Sequence, residues 1–568
     1  MTGVVAPAYA IGVDFGTASA RTLLLDVRSG EEVAVSELGY AHGVIAEMLP
    51  GTDERLPVDW ALHYPGDYMD VLGTGIAAVL ADRPDAAAHV IGIGVDATSC
   101  TVLPVTTQGV PLCQLPAWRG RRHAWPKLWK HHAAQPIANR LTDVALDRGE
   151  PFLTRYGGRI SSEWYFPKLI EIWLEDRQVY DAAGSFLEVS DWVVWQLTGN
   201  ECRSACAAAY KALWSERHGV PSREYFEAAY PGFSRPDEKL GQTFLPLASS
   251  AGYVRADLAR QLGLPDSVAV AVANVDSFVS FPGSGAESAG TYVMVVGTSI
   301  CDMVVHTAEV ALTGITGVAK DGIIPGLYGY EAGQAAAGDI LGWFGDRLSP
   351  GGAATSAKDT LPGLERGAAE LIPGQTGLVA LDWWNGNRSV LADADLSGVI
   401  AGLTLQTSAV EIYRALLESI AFGNRAIVDN FRQHGFQLEE IVACGGVAEK
   451  SPFLMQLFAD VSGLPVTVPA SAQVPARGSA LFGAVAAGPP ASGFAGITEA
   501  ARVLRPGPRM KYFPDAANVA VYGEVYDIWK GLHDTLGRSQ VAWLHGLKQL
   551  KQKAHATHGQ ATATKEAV

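Results

Sequence analysis

The sequence predicts an α/β protein that contains two related domains. Strand-like and helix-like segments alternate along the chain, which is typical of α/β architectures. A second observation is a repeated hairpin pattern, in which an apolar run meets a Gly-Thr or Gly-Thr-Ser turn and a second apolar run follows. It occurs at 11–26 and again at 291–305. Repetition at about half the chain length indicates two related domains and not a short-period array.

Turn-forming residues place the domain boundaries. The stretch 282–286, Pro-Gly-Ser-Gly-Ala, separates a first domain at 8–284 from a second at 288–490. We expect a helical extension at 491–550. The Gly-rich stretch 349–354 is predicted to be a surface loop, and 551–568 is predicted to be a disordered tail because it has no apolar stripe.

Composition excludes several classes of partner. The 568 residues are 48% hydrophobic and carry a formal net charge of −16, from 59 acidic and 43 basic residues. This balance disfavours nucleic acid and anionic membranes as partners, because both are negatively charged. A phosphate-bearing ligand therefore needs local backbone N–H donors, a metal ion, or both.

Cysteine usage and the N-terminus indicate the cytoplasm. The six cysteines are scattered without a CxxC pair, which favours free thiols in a reducing compartment. The N-terminal apolar run has no basic segment before it and meets Asp14 almost at once, so we expect no export signal. No uncharged apolar stretch is long enough to span a bilayer.

Two glycine–hydroxyl turns could bind phosphate. Asp14 precedes the first turn, which contains Gly16, Thr17 and Ser19, and the second turn is Gly297-Thr298-Ser299. Glycine allows a tight turn whose backbone N–H groups can point at a phosphate, and a strand-end Asp can hold Mg²⁺ directly or through water. Taken alone, each turn is more often an ordinary hairpin.

Two further segments have both a functional and a structural interpretation. Asp276 follows the apolar run 268–273, and a carboxylate at the end of a buried strand can act as a general base. The alternative is a helix N-cap or an Asx-turn. Gly445 and Gly446 end another apolar run before a helix expected near Pro452, and they could lie against a nucleotide base or simply form a strand-to-helix turn.

These motifs occur together and in order, and with them the chain resembles the FGGY carbohydrate kinases over residues 8 to 490. The resemblance implies two actin-like, ribonuclease H-like domains with a cleft between them. Five segments are similar to the L-ribulokinases of that family: Val95-Asp96-Ala97-Thr98-Ser99, Ser161-Ser162-Glu163-Trp164, Ala209-Tyr210-Lys211-Ala212-Leu213-Trp214, Tyr330-Glu331-Ala332-Gly333-Gln334 and Asp382-Trp383-Trp384-Asn385-Gly386-Asn387-Arg388.

The resemblance also implies roles for individual residues. Asp276 matches the catalytic base, and Asp14 matches the metal-associated acid. The implied sugar-binding residues are Ala97, Lys211, Asp276 and Glu331. The implied ATP-binding residues are Gly16, Thr17 and Ser19 in the first turn, Gly297, Thr298 and Ser299 in the second, and Gly445 and Gly446 near the adenosine.

The implied reaction is phosphorylation of a 2-ketopentose by ATP with Mg²⁺. The expected substrate is L-ribulose, converted to L-ribulose 5-phosphate in L-arabinose catabolism. The alternatives are another sugar kinase of the same family, acting on D-ribulose, xylulose or a polyol, and a non-catalytic actin-like regulator that senses sugar. The expected partner is the sugar alone, without nucleic acid or membrane, and the family makes a homodimer plausible.

Two positions depart from the family pattern. His131 stands in Trp129-Lys130-His131-His132 where the family typically has an acid, and Phe278 stands where a histidine often follows the catalytic Asp. We expect the first change to remove a polar contact near the sugar, and the second to alter the pocket or the pKa of Asp276. Neither change touches the predicted phosphate-binding turns.

Overall fold

The computed structural model describes residues 6–348 and 356–566, and the side chains of 552 and of residues after 554 are excluded from that description. The predicted loop at 349–354 and residues 567–568 of the predicted tail lie outside the described residues.

Twenty strands form in the described chain. They are β1 Tyr9–Phe15, β2 Ser19–Asp26, β3 Glu32–Gly39, β4 Val90–Ala97, β5 Val102–Val105, β6 Ser185–Glu188, β7 Arg203–Ser204, β8 Phe244–Leu245, β9 Ser250–Tyr253, β10 Ala269–Ala271, β11 Asn274–Val275, β12 Thr291–Val296, β13 Ile300–His306, β14 Gly317–Lys320, β15 Tyr328–Gln334, β16 Val379–Leu381, β17 Val399–Ala401, β18 Glu440–Cys444, β19 Val466–Pro469 and β20 Pro508–Tyr512.

The same part of the chain contains twenty α-helices. They are α1 Pro65–Asp82, α2 Gln135–Arg148, α3 Tyr165–Glu175, α4 Arg177–Ala182, α5 Val189–Thr198, α6 Ala205–Lys211, α7 Arg223–Ala229, α8 Asp237–Leu240, α9 Ala256–Leu262, α10 Asp276–Gly283, α11 Gly338–Arg347, α12 Ala357–Glu370, α13 Ala409–Gln433, α14 Gly446–Lys450, α15 Pro452–Ser462, α16 Val474–Ala486, α17 Pro489–Ser492, α18 Ile497–Val503, α19 Ala516–Asp534 and α20 Val541–Glu566.

Two seven-stranded sheets repeat one topology. The first has the order β3-β2-β1-β4-β10-β9, with β11 also paired to β4, and the second has the order β14-β15-β13-β12-β18-β19-β20. In the first sheet β1 pairs antiparallel with β2 and parallel with β4. In the second sheet β12 pairs antiparallel with β13 and parallel with β18. The predicted hairpin repeat and the two-domain actin-like fold are therefore confirmed.

Helices α10 and α16 lie between the two sheets. Apolar side chains of both helices, including Phe278 and Leu481, share one buried cluster with Ala10 of the first sheet and Val293 of the second. Helix α16 lies so close to the first sheet that a Cβ atom on Gly94 would be 1.8 Å from the backbone oxygen of Ser479. The strand glycines thus let a helix from late in the chain rest directly on the first sheet.

The first half also contains a lobe with a core of its own. Buried residues from Ile45 to Leu240 form this cluster, which includes Trp60, Trp125 and Trp164. Helices α2, α3 and α7 and the strand pair β5–β6 contribute to it. The lobe matters for the site because it contains the segment around Glu163 and leads into α6, whose last residue is Lys211.

The region after residue 490 differs from the helix-only extension that the sequence predicts. Strand β20 pairs antiparallel with β19 and completes the edge of the second sheet. The backbone is helical through Glu566, where we predicted disorder from residue 551 onward. The Lys, Gln and Ala residues there are good helix formers even without an apolar stripe.

A membrane-spanning helix is not evident in the described residues. No single helix among them is long and apolar enough to cross a bilayer, and only the bent pair Val474–Ala486 and Pro489–Val503, which meet at 116°, passes by length and composition together.

Candidate functional site

Three acidic residues converge at the carboxyl edge of the first sheet. Asp14 lies near the end of β1 and is paired in register with Asp96 of β4. Strand β11 pairs with the end of β4, and Asp276 follows it directly as the first residue of α10. Because parallel strands end at the same edge, residues distant in sequence meet there. Ala97, a predicted sugar-binding residue, ends β4 at the same edge.

Burial dominates the electrostatics of Asp14 and Asp96. Burial raises the pKa of Asp14, while hydrogen bonding to Asp96 and the charge of Arg21, 3.6 Å away, lower it. The pKa of Asp96 is raised well above its usual value by burial and by the neighbouring charge of Asp14. Ser479 of α16 donates a hydrogen bond to Asp96 Oδ2 at 2.5 Å. Asp96 Oδ1 has no hydrogen-bond partner among the described residues.

Asp276 has the properties of a general base. Burial and the charge of Asp14 raise its pKa to about 7, and the cation of Lys211 opposes that shift. Its Oδ1 accepts a hydrogen bond from the backbone N–H of Ser277 at 2.7 Å. Within the described chain Oδ2 makes no hydrogen bond, so it remains able to accept a proton from a ligand hydroxyl.

Lys211 and Glu331 form a buried ion pair between the two halves. Lys211 Nζ lies 2.7 Å from Glu331 Oε2 and 3.0 Å from Oε1. Burial alone lowers the pKa of Lys211, but the Glu331 carboxylate, together with Cys100 and Glu163, reverses this and the net pKa is raised. The pair brings a donor group and an acceptor group to one place beside Asp276, as recognition of a polyol requires.

In the first turn, two backbone carbonyl groups accept hydrogen bonds, and two backbone N–H groups donate none among the described residues. Gly16 O accepts a hydrogen bond from Tyr40 Oη at 2.9 Å, and Ala18 O accepts one from Tyr40 N at 3.2 Å. Thr17 Oγ1 accepts one from Trp129 Nε1 at 3.0 Å. Within the described residues the backbone N–H groups of Thr17 and Ala18 have no acceptor. Tyr40 and Trp129 thus fix the turn, and its two unbonded N–H groups remain available to a ligand.

The second turn is built in the same way on the other half. Gly297 O accepts a hydrogen bond from Gly338 N at 3.0 Å, and Thr298 O accepts one from Ala337 N at 2.8 Å. Thr298 is exposed and Ser299 is partly exposed. Among described residues, no hydrogen bond or ion pair links this turn to the first one, because each lies on its own sheet.

Gly445 and Gly446 lie beside the second turn. Gly445 directly follows β18 with φ +96°, and a Cβ atom there would lie 2.7 Å from the backbone oxygen of Val296. Gly446 begins α14 and has no heavy atom within 4 Å of the position of an added Cβ. One glycine is therefore required by the backbone, and the other leaves open space in front of the chain. The helix expected near Pro452 is α15, with Ser451 as its N-cap.

The carboxyl edge fits a magnesium ion that takes most of its ligands from elsewhere. No group of three or more His, Cys, Asp or Glu side chains in the described chain has the arrangement of a complete metal site. Mg²⁺ usually keeps several waters and binds through one or two carboxylates plus substrate phosphates. The oxygen-only donors Asp14 and Asp96, with Asp96 Oδ1 unpartnered, suit that mode of binding.

The two departures from the family pattern lie in different surroundings. His131 is fully buried in the lobe, where its Nε2 lies 2.9 Å from Glu171 Oε2, and burial lowers its pKa to about 3. It makes no contact with Lys211 or Glu331, so the expected loss of a polar contact near the sugar is not seen at that pair. Phe278 is buried against the ring of Tyr210, at 4.5 Å between centroids.

Two residues of the site were missed at the sequence level. Asp96 lies within the Val95–Ser99 segment that carries the resemblance, but its pairing with Asp14 depends on strand register. Ser479 comes from a helix in the predicted second domain and reaches the first sheet. An acidic residue near the end of a predicted strand, in Val95-Asp96-Ala97, was the sequence feature that could have pointed to Asp96. No feature of the sequence pointed to Ser479.

This fold and site define an ATP-dependent carbohydrate kinase, and comparison with known proteins agrees. Residues 292–487 match the C-terminal domain of the FGGY family of carbohydrate kinases. The chain is 46% identical to a ribulokinase of Anoxybacillus flavithermus over 96% of this chain and 98% of that protein. It is 43% identical to a ribulokinase of Mycolicibacterium smegmatis over 95% of this chain and 96% of that protein. The chain belongs to the FGGY carbohydrate kinase family.

Solved structures support the fold independently of close sequence similarity. The xylulose kinase of Rhodospirillum rubrum superposes with a TM-score of 0.75 at 22% identity, covering 94% of this chain and all of that one. The gluconate kinase of Lactobacillus acidophilus superposes with a TM-score of 0.76 at 18% identity, covering 95% and 100%. At these identities the likeness establishes the two-domain architecture and says nothing about the sugar.

Proposed function

We propose that the protein transfers the γ-phosphate of ATP to the terminal hydroxyl of a 2-ketopentose, with L-ribulose as the preferred sugar and Asp276 as the general base. The observation that carries the proposal is the position of Asp276, partly buried at the sheet edge beside the Lys211–Glu331 pair. The similarity to the ribulokinases named above supports the choice of sugar. Conversion of L-ribulose to L-ribulose 5-phosphate would place the protein in L-arabinose catabolism.

The proton of the attacking hydroxyl passes to Asp276. With Oδ1 held by the backbone N–H of Ser277, Oδ2 is the oxygen that accepts this proton. A pKa near 7 suits the task, because the carboxylate is substantially ionised at neutral pH and still basic enough to accept a proton. Lys211, Glu331 and Ala97 hold the remaining sugar oxygens and carbons in place, so the hydroxyl is aligned with the phosphate.

The nucleotide would lie against the two turns and the Gly445–Gly446 segment. Backbone N–H groups of Thr17 and Ala18 are available donors for phosphate oxygens, as are Thr298 and Ser299 on the other half. Asp14, supported by Asp96, would hold Mg²⁺, whose charge offsets that of the phosphates. Gly445 and Gly446 leave room for the adenosine.

A panel of sugars tests the proposal. ADP formation from MgATP would be measured with L-ribulose, D-ribulose, L-xylulose, D-xylulose and glycerol, and the product position would be assigned by phosphorus NMR. We expect the highest kcat/KM with L-ribulose and phosphate on its C5 oxygen. A different preferred sugar overturns the substrate assignment, and a rate no higher than that with ATP alone supports the regulator alternative.

The Asp276→Asn variant tests the base. We expect kcat to fall by at least about 10³-fold while ATP binding, measured by calorimetry, is retained. Asp302→Asn is the matched control, because burial raises the pKa of Asp302 to about 7, as it does for Asp276. Asp302 accepts a hydrogen bond from Asn424 on the far side of the second sheet. We therefore expect Asp302→Asn to change kcat by less than about threefold. Equal losses of kcat and of ATP binding in Asp276→Asn would argue against a base.

A further inference from the structure

A second ion pair crosses between the two halves, and the proposed function gives it no role. Arg388 Nη2 lies 3.8 Å from Glu163 Oε1, with side chains 22% and 24% exposed. Glu163 belongs to the lobe of the first half, and Arg388 follows β16 in the second. Both residues lie in segments that resemble the ribulokinases, so the pair calls for an explanation in terms of the substrate site.

In the first half, Glu163 is structurally tied to Lys211. The ring of the adjacent Trp164 packs at 5.0 Å from the ring of Tyr156. Tyr156 Oη donates a hydrogen bond to the backbone oxygen of Ala209 at 2.5 Å, two residues before Lys211. The segment that carries Glu163 is therefore fixed to the helix that carries the inner lysine.

In the second half, Arg388 is tied to Glu331 in a similar way. Ser389, the next residue, accepts a hydrogen bond at its Oγ from the backbone N–H of Gly333 at 3.2 Å. Gly333 is two residues beyond Glu331 on β15. The outer pair, Glu163 and Arg388, is thus built beside the inner pair, Lys211 and Glu331, with each partner fixed to the element of its neighbour.

Arg388 has hydrogen-bonding capacity that the protein does not use. At 3.8 Å the ion pair is too long for a hydrogen bond, and among the described residues the Arg388 guanidinium makes none. By contrast, the buried Arg414 donates to Glu418 at 2.8 Å, to the backbone oxygen of Ala368 at 2.7 Å and to Tyr522 Oη at 2.7 Å. A guanidinium has five N–H donors, and a largely enclosed one normally finds acceptors for them.

The contacts of the two pairs give the sugar a direction. The inner pair lies at the end of α6 and in β15, and the outer pair is fixed to those same elements through Tyr156 and Ser389. A sugar whose reacting hydroxyl meets Asp276 and whose next oxygens meet the inner pair therefore has its far end free to reach the outer pair.

We infer that Arg388, oriented by Glu163, is a further substrate-binding residue that donates hydrogen bonds to the end of the ketopentose remote from the reacting hydroxyl. At that end the C2 carbonyl and the C1 hydroxyl are acceptors that suit the planar guanidinium. The inference rests on the proposed function, since it assumes a ketopentose whose terminal hydroxyl reacts at Asp276. The competing explanation is an ion pair that only holds the two halves together.

Steady-state kinetics with L-ribulose and ATP separate the two explanations. In Arg388→Met we expect the KM for L-ribulose to rise by about 10-fold to 100-fold, because a charge-assisted hydrogen bond is lost. We expect kcat and the KM for ATP to stay within about threefold of wild type. Arg388→Lys keeps the charge without the fork and should restore part of the loss, and Glu163→Gln should raise the sugar KM by about threefold.

Arg155→Met is the matched control. Arg155 Nε lies 3.3 Å from Glu309 Oε1, also pairs the lobe with the second half, and has a side chain 30% exposed. Neither the Arg155 nor the Glu309 side chain itself contacts Lys211 or Glu331 within the described residues. We expect its kinetic constants for both substrates to remain within about twofold of wild type.

Each outcome decides one question. If the wild-type protein phosphorylates no ketopentose, the proposed function fails and the role of Arg388 fails with it. If wild type is active and Arg388→Met leaves the KM for L-ribulose unchanged, the inference alone is overturned. A parallel rise of the KM for sugar and for ATP, matched by Arg155→Met, would also overturn it in favour of an ion pair that only joins the halves.

Discussion

The two hairpins of this kinase, β1–β2 and β12–β13, have equivalent pairing partners and differ in the residue two positions before the turn glycine. That residue is Asp14 in the first hairpin and Val295 in the second. Both turns present free backbone donors, but only the first has a carboxylate two positions before its glycine. We propose that both turns bind phosphate and that the first turn alone has the strand-end carboxylate, Asp14, that would hold a metal ion.

The helices behind the hairpins differ as well. Helix α16 contacts the first sheet backbone to backbone, because Gly12, Gly92 and Gly94 carry no Cβ atom. In the second sheet, Tyr292 and Met294 pack with large side chains against the cluster that includes α13. The close approach in the first half is what lets Ser479 reach Asp96, so packing and site chemistry are coupled there.

The comparison of the hairpins is tested most directly at Asp14 and Val295. We expect Asp14→Asn to lower kcat by about 100-fold or more, because it removes charge that positions the metal and the phosphates. The Mg²⁺ concentration for half-maximal rate should rise at the same time. Val295→Ala, at the equivalent place in the second hairpin, should change kcat by less than about threefold. Similar losses in both variants would mean that the hairpins are not chemically distinct.

The close approach of α16 to the first sheet predicts an unequal response to adding a methyl group. In Gly94→Ala the new Cβ would meet the Ser479 backbone oxygen, and we expect a loss of about 3 kcal/mol in stability. Gly73 lies inside α1 with no atom within 4 Å of an added Cβ. Gly73→Ala should therefore gain about 0.5–1 kcal/mol.

Thermal and denaturant unfolding would measure both glycine variants against wild type. The difference in stability between the two variants is the decisive result, because alanine lowers the conformational entropy of the unfolded chain in both. Equal midpoints would contradict the backbone-to-backbone packing of α16.

Local sequence features account for the parts of the fold and site that could be predicted. The hairpins follow from apolar runs around glycine turns, and the start of α15 follows from Ser451 and Pro452. Asp276 was identifiable because it follows a buried run. Its role, like that of Lys211 and Glu331, came from family resemblance, because alternating polarity alone does not reveal which charges will meet.

Long-range register accounts for what could not be predicted. The Ser479–Asp96 bond joins residues 383 positions apart, and nothing near Ser479 indicates that α16 returns to the first sheet. The family pattern led us to expect that His131 replaces a polar contact near the sugar, yet its bond is to Glu171, 40 residues away in the lobe. Strand β20 is short and mostly exposed, and it is a strand because the edge of β19 is available to pair with it.

The pH dependence of the reaction tests both halves at once, because charged residues of both halves act on the pKa of Asp276. Burial and Asp14 of the first hairpin raise its pKa to about 7, while Lys211 lowers it. A base must be ionised to act, so kcat/KM should fall about tenfold per pH unit below this pKa and level off above it.

Lys211→Met should move this acidic limb to higher pH. The substitution removes the cation that lowers the pKa of Asp276, and it leaves the Glu331 carboxylate unpaired, which raises that pKa further. Profiles of kcat/KM for L-ribulose between about pH 5.5 and about pH 8 would be compared for wild type and variant. A limb at the same pH in both, or a flat wild-type profile, would contradict electrostatic control of Asp276. A shift upward means that Lys211 of the first half and Glu331 of the second act together on the proton of Asp276.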